Sequence, residues 1–280
     1  MNDEIVTFSI DIDDPLRASL ICDLLWINGI QGVEEIDAVD GTVTLRSSFG
    51  TSEYDTVERL TDLFGEWTPP LQWEISRVDP TITDTWKQFA DVIDITSTLR
   101  IVPSWLHASA DRTQGTDIVI DPGPTFGLGD HPTTRGSLLL ISRILRTGQT
   151  VLDVGCGSGI LGISALVLGA SRAQGIDINP ASIEVSRANA IRNGVDDRWT
   201  VALDGLDSIT GRFDLLTANI LAPVLIDLAD DLKRLLDQGG TLVISGVLHG
   251  RFDHVLKALE PLTIAESIEI EGWASLALRR

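Results

Sequence analysis

Two different hydrophobic rhythms divide the chain. From Glu4 to Val78 short alternating runs are interleaved with helical ones. EIVTFSI reads as a strand, and Asp13-Asp14-Pro15 then offers a cap followed by a first-turn proline. Leu16, Leu20, Leu24 and Leu25 recur at helical spacing until Asn28-Gly29 stops the helix. QGVEEIDAV and TVTLRSS flank Asp40-Gly41, a hairpin signal. Ser52 to Phe64 carries Val57, Leu60, Leu63 and Phe64 on one helical face, and LQWEISRV alternates as a last strand after Pro69-Pro70. The order β-α-β-β-α-β over residues 1–78 predicts a small ferredoxin-like α+β domain, a layout that hosts many functions.

Residues 79–97 read as a connector and plausible hinge, with a short helix around Trp86 and Phe89. Over residues 98–280 strands alternate with longer helices: TVLDVG, ILGISALVLGA, AQGIDI, ASIEVSRANAIRNG, WTVAL, FDLLTANI, LAPVLIDLADDLKRLL and GTLVISG. That alternation implies βαβ units and a parallel sheet. TIAESIEI and WASLALR, joined by Glu271-Gly272, read as an antiparallel hairpin at the sheet edge.

The formal charge of −20 and pI near 4.4 oppose binding to naked nucleic acid or anionic lipid. They suit a basic protein partner, or simply a soluble acidic surface. Cys22 and Cys156 are too few for a disulfide framework and lack metal-ligand spacing, so no metal is expected and a reducing cytoplasm fits. MNDEIVTFSI has no signal-peptide pattern, and no apolar run approaches the ~20 residues of a membrane span, so a cytoplasmic protein with no membrane contact is expected.

The chemistry concentrates in VLDVGCGSGILGISALVLGA. A buried strand leads into a turn at Gly155, Gly157 and Gly159 and then a helix, so backbone N–H groups can approach a polar ligand. Asp177, at the end of the next strand in GIDINP, can accept both hydroxyls of a ribose, which points to a nucleoside. Taken alone, the pattern fits a dinucleotide or S-adenosylmethionine. The glycines run G-x-G-x-G and not G-x-G-x-x-G; with Asp177 and TANIL they resemble the motifs of seven-stranded S-adenosylmethionine-dependent methyltransferases.

A narrower resemblance rests on DPGPTFGLGDHPTT, LDVGCGSGILGISALVLGA, GIDINPASIEVSRANAIRNG, TANILA and the terminal EGWASLALRR. Together they resemble the PrmA family, the lysine methyltransferases of ribosomal protein L-eleven. The likeness covers nearly all of the C-terminal two-thirds, and in residues 1–78 it is one of layout. It implies a Rossmann-like seven-stranded α/β sheet preceded by a small substrate-recognition domain, with S-adenosylmethionine as cofactor and ribosomal protein L-eleven as partner. Carried over by residue, it implies cofactor contacts from Thr134, Gly155, Gly157, Asp177 and Asn219. Phe126 reads as pocket wall or as ordinary packing, and Asp153 and Asp204 as secondary candidates, Asp204 as acceptor for adenine N6.

Pro124, Thr125, Leu128 and Asp130 depart from the family's usual loop, and Leu128 removes a hydroxyl. Methyl transfer needs a neutral amine aligned with the sulfonium carbon, and desolvation can supply that amine without a dedicated base. No catalytic residue is therefore assigned. His131 reads as a proton acceptor or as a structural residue at a helix start, and Trp273 as packing or as a wall of the substrate mouth. The alternatives are a methyltransferase for another protein or a small molecule, and a non-catalytic binding module.

Overall fold

The computed structural model describes residues 5–12, 21, 34–37, 42–49, 72–78, 87, 90–107, 115–123, 125 and 127–280. The chain divides into two compact units, residues 1–90 and 91–280. In the first, β1 (Ile5–Ile12), β2 (Glu34–Asp37), β3 (Val43–Phe49) and β4 (Gln72–Val78) form an antiparallel sheet in the order β2-β3-β1-β4. That is the ferredoxin-like strand order. Ile10 lies opposite Leu45 and Ile12 opposite Val43, and all four are buried, as is helical Ile21. One face of the sheet thus carries the apolar set that period-two alternation assigns to it. The Asp40-Gly41 turn, the helix over 52–64, the helix after Pro15 apart from Ile21, and Trp86 and Phe89 lie outside the described residues.

The second unit begins with a three-stranded sheet of β5 (Ile93–Asp94), β6 (Leu99–Pro103) and β7 (Thr116–Ile120), followed by α1 (Pro132–Ile144). Then come β8 (Thr150–Val154), α2 (Ile160–Val167), β9 (Arg172–Ile176), α3 (Pro180–Arg192), β10 (Trp199–Ala202) and β11 (Phe213–Asn219). The remainder is α4 (Ala222–Asp227), α5 (Ala229–Leu235), β12 (Leu236–Leu248), α6 (Asp253–Leu259), β13 (Thr263–Ile270) and β14 (Trp273–Arg279). The large sheet has the order β10-β9-β8-β11-β12-β14-β13, parallel except for β14, which is antiparallel to both its neighbours.

Successive strand residues feed opposite cores. Val151, Leu215, Val243 and Ala277 pack with α1, α2 and the small sheet, while Leu152, Leu216, Leu242 and Leu276 pack with α4 to α6. Burial on both faces explains why these strands read as continuous apolar runs. The terminal antiparallel hairpin forms at the sheet edge as expected, with β14 paired to β12 and β13 outermost. One detail differs from the sequence reading. The single helix expected over 221–236 is two, α4 and α5, meeting at Leu228. Leu228 N–H still donates to Val224 O and Leu228 O still accepts from Leu232 N–H, so the hydrogen-bond ladder bends there without being lost.

No described helix is long and apolar enough to cross a membrane, and no cluster of three potential metal ligands occurs among the described residues.

Trp199 on β10 wedges its six-membered ring among Gly159, Gly162 and Gly175. A Cβ on Gly175 would lie 2.5 and 2.6 Å from Trp199 Cη2 and Cζ2 and 2.9 Å from Cys156 Sγ. Gly175→Ala is therefore expected to cost about 1–3 kcal/mol by overpacking. In urea unfolding followed by circular dichroism, that cost should shrink in a Trp199→Leu background. An equal cost in both backgrounds would show that the indole is not the obstacle.

Candidate active site

The glycine turn connects β8 to α2. Gly155, Gly157 and Gly159 have φ of 67°, 51° and 81°, a left-handed region that residues with a Cβ avoid. Ile176 O, at the end of β9, accepts from both Gly155 N–H (2.9 Å) and Cys156 N–H (3.0 Å), fastening the turn to the neighbouring strand.

Gly159 occupies the cap position of α2 and has no side chain with which to cap it. The missing acceptor comes from the strand below. Asp153 Oδ2 accepts from Gly162 N–H at 2.9 Å, and its Oδ1 accepts from Thr217 Oγ1 at 2.7 Å. Asp153 is fully buried, and desolvation pushes its carboxyl up to about 6 against the pull of the Thr217 and Gly162 bonds; the nearby charge of Asp177 adds to the rise.

A second carboxylate holds the other side. Asp177 Oδ2 accepts from Gly157 N–H at 2.8 Å and Oδ1 from Asn179 N–H at 2.9 Å. Each carboxylate oxygen has a further lone pair to offer. Next to it Ile178 is 91% exposed, and Leu203, just past β10, is 52% exposed beside solvent-facing Asp204. Two large apolar side chains in water at adjacent strand ends are costly unless something flat and apolar covers them. Sequence reading singled out neither; the signal was an apolar residue directly after each strand-end position.

Across the crevice, α1 presents Thr134 in its first turn. Asn219, the last residue of β11, donates from Nδ2 to Thr134 Oγ1 at 3.3 Å, joining positions 85 residues apart. His131 caps α1: Nδ1 accepts from Thr133 N–H at 3.3 Å and lies 2.7 Å from Thr133 Oγ1. Its ring packs edge-on against Trp273, with centroids 5.3 Å apart. Burial holds the His131 pKa below its ordinary value, although the charges of Asp130 and Glu271 oppose this. Arg135 pairs with Glu271 at 3.0 Å, tying α1 to the turn between β13 and β14.

The loop before α1 is strapped to the glycine turn by residues that sequence reading missed. Ser158 Oγ donates to Gly127 O (2.6 Å), and Asn189 Nδ2 donates to both Asp121 O and Ser158 O (2.9 Å each). Asn189 Oδ1 in turn accepts from Asp121 N–H at 3.0 Å. Asn189 is wholly buried on α3, and a polar residue on the apolar face of a helix was the available clue. Thr125 turns back to its own loop, donating from Oγ1 to Pro122 O at 2.6 Å, and Leu128 is half-buried. Phe126 and Pro124 lie outside the described residues.

Gly155, Gly157, Asp177 and Asn219 therefore meet at the C-terminal ends of β8, β9 and β11, with Thr134 facing Asn219. This is where the strand order reverses, the crevice in which open α/β sheets bind ligands. Sheet order, glycine turn and strand-end acid define a seven-stranded S-adenosylmethionine-dependent methyltransferase.

Comparison with known proteins narrows this. Residues 49–280 match the family model described as ribosomal protein L11 methyltransferase (PrmA). The chain is 37% identical to the ribosomal protein L11 methyltransferase of Marinobacter nauticus, over 95% of this chain and 96% of the relative. The protein of that name from Sorangium cellulosum is 36% identical over 89% of this chain and 80% of its own. Among solved structures, the ribosomal protein L11 methylase of Lactobacillus delbrueckii subsp. bulgaricus is 34% identical, with a TM-score of 0.63 over 68% of this chain and 99% of that one. The chain belongs to the ribosomal protein L11 methyltransferase (PrmA) family.

The Asp153 carboxyl gives a signed pH test. Its folded pKa lies above the unfolded value of about 3.9, so the native state retains the proton to higher pH. Its stabilising contribution is complete below about pH 4 and is lost as pH rises through about 6. Asn at 153 can accept from Gly162 N–H and donate to Thr217 Oγ1. The stability of Asp153→Asn relative to the parent should therefore rise by about 2–3 kcal/mol between pH 4 and 7 in denaturant titrations. A difference that stays flat across this window would rule out a titrating buried carboxyl.

Proposed function

We propose that this chain transfers methyl groups from S-adenosylmethionine to amino groups of ribosomal protein L11. The observation that carries the reading is the convergence of Asp177 and the Asn219–Thr134 pair on the crevice beside the glycine turn. The residues present suit the cofactor. Gly155 is exposed, and a Cβ there would lie 2.6 Å from Ile220 Cγ2, so backbone alone forms that wall. The second lone pairs of Asp177 can take the ribose hydroxyls. Ile178 and Leu203 can cover the faces of the adenine, and Asp204 can accept from its exocyclic amine. Thr134 and Asn219, polar and uncharged, can hold the charged methionine end without neutralising it.

The bound cofactor supplies an electrophilic methyl on a sulfonium centre. The protein's part is to bring a neutral amine to it and to exclude water. An amine entering from solvent loses hydration, which lowers its pKa and favours the uncharged form that can attack. His131 Nδ1 is occupied by the Thr133 amide and hydroxyl, so this ring acts as the cap of α1.

The charge of −20 draws a basic protein and repels polyphosphate, in keeping with a ribosomal protein met before it is wrapped in RNA. The unit over residues 1–90 is assigned the recognition of that protein, and the cytoplasm is the compartment of the encounter.

Incubation of purified ribosomal protein L11 with this enzyme and S-adenosylmethionine, read by intact-protein mass spectrometry, should show gains in steps of one methyl group. Asp177→Ala removes two charge-assisted acceptors and is expected to weaken cofactor binding roughly 10–100-fold, suppressing the gain at low cofactor concentration. No gain from the parent enzyme with cofactor binding intact would redirect the assignment to another substrate.

A further inference from the structure

The crevice depends on where the chain goes immediately after Asn219, and that path is set by a glycine that lies outside the cofactor motif. Asn219 pairs with Ser245 as the last step of the β11–β12 ladder. On the other side of β12 the register to β14 shifts between Ile244 and Val247, so Ser245 and Gly246 together oppose the single residue Ser275. This is a β-bulge, a device that re-aims a strand near a site, and Gly246 sits in it with φ 84°. The bulge is stitched by the Ser245 hydroxyl, 2.8 Å from Ser275 Oγ and donating to Ala274 O at 3.3 Å.

Gly246 faces the backbone of Ile220. A Cβ there would lie 2.5 Å from Ile220 O, 2.9 Å from its carbonyl carbon and 3.4 Å from its nitrogen, main-chain atoms with no rotamer to move aside. The Ile220 side chain in turn rests on Gly155, where a Cβ would meet Cγ2 at 2.6 Å. Ile220 is thus clasped between the cofactor turn on one side and the β12 bulge on the other.

We propose that Gly246 is a positioning residue for cofactor binding: by letting the Ile220 peptide seat against the bulge, it sets the separation of Asn219 from Gly155 and so the width of the crevice. The inference rests on Asn219 being a cofactor contact, as assigned above.

Calorimetric titration with S-adenosylhomocysteine, with folding checked by circular dichroism, tests it through a double-mutant cycle. Gly246→Ala should weaken binding about tenfold or more in the parent and by less than about twofold in an Asn219→Ala background, because coupled residues do not add. Gly250→Ala is the strain control: its φ of 73° is similar, but nothing lies within 4 Å, so binding should stay within about twofold of the parent. If Gly246→Ala does not fold, Ile220→Ala, which loosens the other end of the clasp, enters the same cycle with the same expectation. Equal losses in both backgrounds, with Asn219→Ala itself weakened, would overturn the positioning role alone. Parent-like binding by Asn219→Ala would overturn the assignment of Asn219 and the proposal with it.

Discussion

A turn that is all glycine at its critical positions cannot hold itself in place, and the rest of the site follows from how this protein solves that problem. Gly155, Gly157 and Gly159 open the backbone to a ligand at the cost of chain entropy and of a side-chain cap on α2. Two carboxylates from strand ends replace what is missing. Asp153 accepts from the third amide of α2 from inside the sheet, and Asp177 accepts from Gly157 from the neighbouring strand. The acid proposed to take the ribose is also the one that fixes the turn, so the assignment puts recognition and rigidity on one carboxylate.

The same economy recurs across the crevice. Thr134 and Asn219 touch, and each belongs to an element fixed by something remote: α1 by its His131 cap and the Arg135–Glu271 pair, β11 by the buried Thr217–Asp153 bond and the β12 ladder. Ser158 and Asn189 draw the loop before α1 onto the turn. The walls are thus built on rigid elements, and the polar groups at the strand ends are the ones proposed to take a nucleoside and an amino acid.

What could be read from sequence was what has a period or a local spacing. The parallel sheet followed from alternating βαβ units, and the glycine turn and Asp177 from positions along one βαβ unit. The ferredoxin-like sheet was legible because Ile10, Ile12, Val43 and Leu45 alternate with polar neighbours. Contacts set by three-dimensional closure were not legible. The Asn219–Thr134 bond spans 85 positions, and Asn189 reaches a loop 68 residues away. Trp199 reads as one more strand aromatic until three glycines are found against it, and Gly246 reads as a strand end until the bulge appears. The bend at Leu228 left no mark, because α4 and α5 share one apolar stripe.

The claim on which the others rest is that the turn is already held in the free protein by its two carboxylates. Amide hydrogen exchange of the cofactor-free chain, resolved residue by residue by NMR, measures this directly. Gly162 N–H should exchange only with global unfolding, and Gly157 N–H, bonded to Asp177, should be slowed by orders of magnitude relative to an unstructured amide. Gly157 exchanging at the unstructured rate, and gaining protection only when S-adenosylhomocysteine is added, would contradict a preorganised turn.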